Sequence, residues 1–242
     1  MNPFEKHQIT HLSASSLALY RNCPALWVGK NLYGWKDDVG PRAWLGTAVE
    51  AGLDMILYGH PFSAALEKAG MMFDEQAQGE ITEEITKAAS EIAPMLEQAS
   101  LAAQNFGQPV ARQFKITHWL DGIEVPVIGY VDYLYEDWLF DLKTTARLPS
   151  EPRPDHACQV AIYNAATGRK AKLLYVTPKK HAAYDVEDIT DPMWTVAKSA
   201  HAVRRLLAMT DNREDAAGVF VPDFSSFYWT DPLKEAAKAV WA

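Results

Sequence analysis

Cysteine is nearly missing from this 242-residue sequence: Cys23 and Cys158 are the only two. That excludes a disulfide framework and a four-cysteine metal site within one chain. No apolar run approaches the ~18 residues that a membrane-crossing helix needs. The opening Met1-Asn2-Pro3-Phe4-Glu5-Lys6-His7 lacks the apolar stretch of a secretory signal, so the expected location is cytoplasmic, with no membrane partner. Walker-type G-K-[ST] loops, G-x-S-x-G elbows and H-E-x-x-H helices are all lacking. So are internal repeats and low-complexity segments. Positive charge is in short supply too: 23 Lys+Arg stand against 31 Asp+Glu, a net charge of −8. That balance argues against coating nucleic acid through bulk charge, but it leaves room for a localised basic channel.

Eight Trp, ten Tyr and nine Phe, within 48% hydrophobic and 22% charged residues, supply a core and exclude general disorder. The length suits one large domain over 1–242. Within it we expect a mainly helical part (1–108), a sheet core (109–210) and an aromatic C-terminal tail (211–242). The acidity is uneven. Residues 1–50 carry five basic and four acidic side chains, 51–108 two and nine, and 109–242 sixteen and eighteen.

Ser13 to Ser16, followed by Leu17, Leu19 and Tyr20, predict a serine-capped helix ending near Cys23-Pro24 or one turn later. A loop rich in Gly, Asp and Pro is expected from 34 to 41, then a second helix from about 43 to 58. Residues 62–106 read as helical throughout, with Ile81, Ile85, Ile92, Leu96 and Ala99 as one buried stripe and the glutamates on its outer face. Past Pro109, β-branched and aromatic residues dominate at 110–117, 125–135 and 138–144, predicting three strands with a turn at Glu136-Asp137. A helix from about 155 to 166 should end at Gly168. Strands at 172–177 and 182–186 and a helix at 190–208 follow. The fold class is α/β, with a mixed, about five-stranded sheet flanked by helices and an N-terminal helical region.

The chemistry is concentrated in Gly129-Tyr130-Val131-Asp132 and Phe140-Asp141-Leu142-Lys143-Thr144-Thr145. Side chains alternate along a strand, so Asp141 and Lys143 share a face while Phe140 and Leu142 point into the core. Asp132 precedes Asp141 by one turn, on the neighbouring antiparallel strand. Two carboxylates held together repel unless a divalent cation lies between them, and Mg²⁺ favours such oxygen ligands. Lys143 cannot ligate a cation as an ammonium, but it can orient a water or neutralise a phosphate. Glu50, in Gly46-Thr47-Ala48-Val49-Glu50, is a third oxygen donor, with Asp54 one turn beyond as a supporting or surface acid. Gln159 and Tyr163 stand i,i+4 on one helix face. From Lys143 to Lys180 eight basic residues meet two acids, a charge footprint suited to a phosphate backbone. Trp35 and Trp44 border the Glu50 helix, as core residues or as base-stacking surfaces.

These pieces resemble the PD-(D/E)XK nucleases, in particular their RecB-like and phage-type exonuclease group. Ser13-Ala14-Ser15-Ser16-Leu17 through Tyr20-Arg21-Asn22-Cys23-Pro24 is similar to that group's first helix. Gly46-Thr47-Ala48-Val49-Glu50 is similar to its Gly-Thr-x-x-His segment. Asp132 matches the first metal-binding aspartate, Asp141-Leu142-Lys143 the D-x-K strand, and Gln159-Val160-Ala161-Ile162-Tyr163 the Q-x-x-x-Y helix. The resemblance runs in order from about residue 12 to 187. It implies a restriction-endonuclease-like core and hydrolysis of DNA phosphodiesters with Mg²⁺ or Mn²⁺. The cation would be held by Glu50, Asp132, Asp141 and the Leu142 carbonyl, with Lys143 catalytic alongside the three acids. It also implies DNA-contacting or supporting roles for Gln159, Tyr163, Thr144 and Arg147.

Two departures matter. Glu50 stands where the group has histidine, as in branches similar to lambda exonuclease, and this tilts preference towards Mg²⁺. Cys23 occupies the first position of an iron–sulfur site found in some relatives, but the tail lacks the three further cysteines. No such cluster is expected, and the aromatic tail should pack there instead. The expected activity is an exonuclease of phage or bacterial recombination or repair acting on single- or double-stranded ends. A helicase or a single-strand annealing protein would be a suitable partner. The alternatives are a structure- or site-specific endonuclease of the same superfamily and a non-catalytic DNA-binding subunit.

Overall fold

The computed structural model describes residues 1–36 and 39–241. Asp37 and Asp38, within the loop expected at 34–41, lie outside the described residues. The chain begins with short α1 (Pro3–Lys6), then α2 (Ala14–Asn22), α3 (Pro24–Leu32), α4 (Pro41–Leu57), α5 (Phe62–Ala77) and α6 (Glu83–Ala103). The sheet follows as β1 (Ala111–His118), β2 (Val127–Leu134) and β3 (Trp138–Thr144), then α7 (Pro154–Thr167), β4 (Lys170–Val176) and β5 (His181–Val186). Helices α8 (Thr190–Met209), α9 (Arg213–Gly218) and α10 (Asp231–Trp241) complete it.

The local rules explain most boundaries. Ser13 and Ser16 form a reciprocal capping box at α2. Pro24 then opens α3 instead of extending α2, because proline has no N–H to give and suits the first helical turn. Gly168, at φ +70°, caps α7. The continuous helix expected over 62–106 is instead two. Gln78 (φ 51°) and Gly79 (φ 82°) turn left-handed, and Thr82 caps a fresh helix by accepting the Ile85 N–H. Ile81 falls in that turn and is 87% exposed, so it is not part of the buried stripe, whereas Ile85, Ile92, Leu96 and Ala99 are buried.

The five strands form one mixed sheet in the order β1-β2-β3-β4-β5, with only β3 and β4 parallel. Both faces are covered. Leu139, Leu173 and Tyr175 pack into a core with α2, α3, α7 and α8, while Phe140, Leu142, Leu174 and Val176 pack under α4, α5 and α6. Tyr133 stacks on Phe140 across β2 and β3 with ring centroids 4.4 Å apart, a pair contributing about 0.5–1.5 kcal/mol beyond its area. Tyr133↔Phe140 and Leu134↔Leu139 are the register pairs of β2 with β3, and the strands part beside Asp132 and Leu142.

The tail is more ordered than an aromatic segment suggests. Trp229 and Leu233 bury themselves around Cys23, the packing expected there. Phe227, by contrast, is exposed. Trp35 packs edge-on to Trp241 and Trp44 edge-on to Phe73, and each remains half-buried.

Candidate active site

The opening between β2 and β3 gathers side chains from both layers. Asp132 turns into the gap, where Oδ2 accepts the Leu142 backbone N–H at 2.9 Å and replaces the missing ladder bond. Asp141, next on β3, is fully buried. Lys143 Nζ stands 2.6 Å from Asp141 Oδ2, off the line of a hydrogen bond, so both Asp141 oxygens lack a hydrogen-bond partner. Lys143 also donates to Gln159 Oε1 at 3.0 Å, and Gln159 Nε2 donates to the Tyr163 hydroxyl at 2.7 Å. Glu50 comes from α4, which Tyr133 ties to the sheet by donating its hydroxyl to the Glu50 carbonyl at 3.1 Å.

Two glycines explain how the layers come this close. A Cβ on Gly129 would lie 2.7 Å from Tyr163 Cε1, and one on Gly46 would lie 3.2 Å from Thr144 Oγ1. The glycines of the Gly-Tyr-Val-Asp and Gly-Thr segments are therefore contact points, where α7 meets β2 and α4 meets β3.

The electrostatics record a crowded and only partly compensated cluster. Burial pushes the Asp132 carboxyl well above its ordinary range, and the charges of Asp141 and Glu50 add to this. Glu50 is raised by burial and then by Asp54 and Asp141, against the opposing hydrogen bond from Gln113. Lys143 loses solvation, but the carboxylates of Asp141 and Asp132 outweigh that loss and hold its ammonium above the usual value. Buried carboxylates that repel one another, one of them without any hydrogen bond, are a donor set suited to a hard divalent cation. Among the described residues, however, no three carboxylate, imidazole or thiolate groups are drawn together at ligating distance. An amide bridges two of them: Gln113 Nε2 donates to Glu50 Oε1 at 2.5 Å and to Asp132 Oδ1 at 3.2 Å.

The structure thus brings together Glu50, Asp132, Asp141, Lys143, Gln159 and Tyr163, with Leu142 between the aspartate and the lysine and Thr144 against α4. Arg147 does not join them. It is exposed on the loop after β3. Asp54 is no surface acid: it is 6% exposed and ion-paired with Arg112. The basic run from Lys143 to Lys180 is also divided, because Lys143 pairs in register with Tyr175 while Lys170 lies opposite Trp138, at the other end of β3. There Arg169 donates to the Glu136 carbonyl and Lys172 pairs with Asp185. Two adjoining clefts of about 550 and 560 Å³ flank the site, and both are walled by Gln159, Ala14 and Ser15. One holds Lys143 and His156, the other Lys115 and Tyr130.

Sequence reasoning missed Gln113, Arg112 and His156. Gln113 and Arg112 fall in the run 110–117, which reads only as a strand, and His156 lies in a helix already credited with Gln159 and Tyr163.

No curated protein matches the chain. A solved structure described as "Crystal structure of SSO0001" aligns with 64% of this chain and 84% of its own, at 14% identity and a TM-score of 0.35. The model of the PD-(D/E)XK nuclease superfamily matches residues 11–225, a span that includes all four elements bearing the acids, the lysine and the glutamine. By that match, and with a mixed five-stranded sheet of the restriction-endonuclease-like kind beneath it, the chain belongs to the PD-(D/E)XK nuclease superfamily.

Proposed function

We propose that this nuclease is a divalent-metal-dependent DNA exonuclease of the RecB-like, phage-type group, built as one nuclease domain over 1–242. The carrying observation is the gap between β2 and β3, where buried Asp141 gathers with half-buried Asp132 and Glu50, the Lys143 ammonium lying on Asp141 beside an open cleft. Glu50, Asp132, Asp141 and the Leu142 carbonyl would hold Mg²⁺ or Mn²⁺, which supplies Lewis-acid charge beside the scissile phosphate.

The protein's own groups do the rest. Lys143, fixed by Asp141 and Gln159, presents its protons to the attacking water and to the phosphate oxygens, so that charge developing in the transition state meets a preorganised cation. Gln159 and Tyr163 hold that lysine in place and line the path of the strand. With −7 of the chain's net −8 charge in residues 51–108, on α5, α6, the turn between them and the end of α4, the DNA path along the clefts is spared most of that repulsion. A role in phage or bacterial recombination or repair fits this activity, alongside a helicase or an annealing protein.

The test is digestion of linear, closed circular, 5′-blocked and 3′-blocked DNA with Mg²⁺ or Mn²⁺. Loss of linear DNA with circles left intact is the expected outcome, and the blocked ends report polarity. Cleavage of closed circles would make the enzyme an endonuclease. Inertness towards every substrate would leave a binding subunit.

A further inference from the structure

Gln113 lies in the middle of β1 with φ +45°, a left-handed conformation that a side chain longer than Asn adopts only at a cost. The ladder registers the distortion: Arg112 pairs with Tyr133 and Phe114 with Val131, but the step between them is skipped. What the distortion achieves is local and chemical. It brings the Gln113 amide to Glu50 Oε1 and Asp132 Oδ1 together, while Asp132 Oδ2 is held by Leu142. Both Asp132 oxygens are therefore engaged. Leu142 donates from the backbone of a central strand and has nowhere to go. Gln113 is exposed, and its side chain is free to swing into solvent.

We propose that the Gln113 amide is a displaceable bridge that holds Glu50 and Asp132 together in the metal-free protein and must release Asp132 Oδ1 when a divalent cation enters. The inference rests on the reading of Glu50, Asp132 and Asp141 as metal ligands, and it gives that site a threshold. The two N–H protons of one amide partly offset the repulsion of two carboxylates, and the cation must outcompete them. Gln113 thereby sets the metal concentration at which the site fills.

The experiment is calorimetric titration of the full chain with Mn²⁺, paired with melting temperatures with and without Mn²⁺, for wild type, Gln113→Gly, Gln113→Leu and Asp141→Asn. Glycine accepts the positive φ and lacks the amide, and leucine keeps the bulk without the donor. Each Gln113 variant that folds is expected to bind Mn²⁺ about fivefold more tightly, the equivalent of one ordinary hydrogen bond. The metal-free form of Gln113→Leu, which keeps the backbone cost and loses the amide, should melt lower, so that Mn²⁺ raises its Tm further than in wild type. Unchanged or weaker Mn²⁺ binding overturns the proposal while leaving the ligands standing, provided that Asp141→Asn loses the ion. If wild type and Asp141→Asn bind Mn²⁺ equally poorly, the ligand assignment fails and the bridge fails with it. If neither Gln113 variant folds, the residue is structural and the proposal is wrong.

Discussion

Asp132 Oδ2 and the Leu142 N–H meet at 2.9 Å across the place where β2 and β3 cease to pair. One carboxylate thus closes the sheet and faces Asp141 and Glu50, whose charges oppose its ionisation after burial itself. Fold and chemistry make separate demands on it, and substitution separates them. Asp132→Asn keeps an oxygen for Leu142, gives up the acceptor of the exposed Gln113, which turns to solvent, and removes the charge. Its Tm should equal or exceed that of wild type, while DNA cleavage falls by about 10²-fold or more, the scale of losing an electrostatic anchor. Asp132→Ala should lose cleavage and stability together, because a buried N–H is left unpaired at a cost of about 1–3 kcal/mol.

Gly129 makes a second prediction. A methyl group there would meet Tyr163 at 2.7 Å, so Gly129→Ala should destabilise the protein by about 1–3 kcal/mol in urea unfolding. Pushing Tyr163 away also breaks its hydrogen bond with Gln159. Adding Tyr163→Leu should recover much of the stability and none of the activity. Full recovery of both would mean that Tyr163 only packs.

Lys143 and Gln159 should differ in degree. Lys143→Ala removes the ammonium and leaves Asp141 buried without its counter-charge, and cleavage is expected to drop by about 10²-fold or more. Gln159→Leu leaves the ammonium on Asp141 but frees its other tether, so the loss should be nearer tenfold, the effect of slack positioning. Initial rates at saturating DNA and metal check the ranking. Equal losses would show that Gln159 touches substrate itself.

Most of the architecture was legible because it rests on local signals. Runs rich in β-branched and aromatic residues marked the first three strands, the stretches 172–177 and 182–186 answer to β4 and β5, and Gly168 gave the end of α7. The three acids, Lys143, Gln159 and Tyr163 could be placed because each belongs to a short segment with its own geometry. What escaped depends on partners far apart in sequence or on backbone torsions that composition does not encode. Ile81 kept the helical spacing yet fell in a turn that Gln78 and Gly79 create. Gln113 carries no mark of its positive φ, and its partners lie 63 and 19 residues away. The basic run was a sequence neighbourhood, and the parallel register of β3 and β4 drew Lys143 and Lys170 to opposite ends.

His156 gives the pH prediction. Tyr175 accepts the Arg153 N–H at 3.1 Å, and its hydroxyl oxygen lies 2.8 Å from His156 Nδ1. A hydroxyl proton given to Nδ1 leaves the neutral ring protonated on Nε2, in a side chain that lines the cleft beside Lys143. Burial, then the charges of Lys143 and Arg153, lowers the ring from the ordinary 6.5 to about 4. The folded pKa is thus the depressed one. The unfolded chain takes up a proton as pH falls through about 6.5 and the folded chain does not, so this group's stabilisation is complete above that pH and fades towards pH 4. With the ring only half-buried, the loss should be on the order of 1 kcal/mol after screening. Urea unfolding at pH 7 and pH 4.5 should therefore show a smaller difference for His156→Gln than for wild type, and Tyr175→Phe should raise the ring pKa by freeing Nδ1. In ring ¹⁵N spectra at pH 5.5, a neutral His156 with the proton on Nε2 is the expected signal, and a charged imidazolium there would refute the assignment.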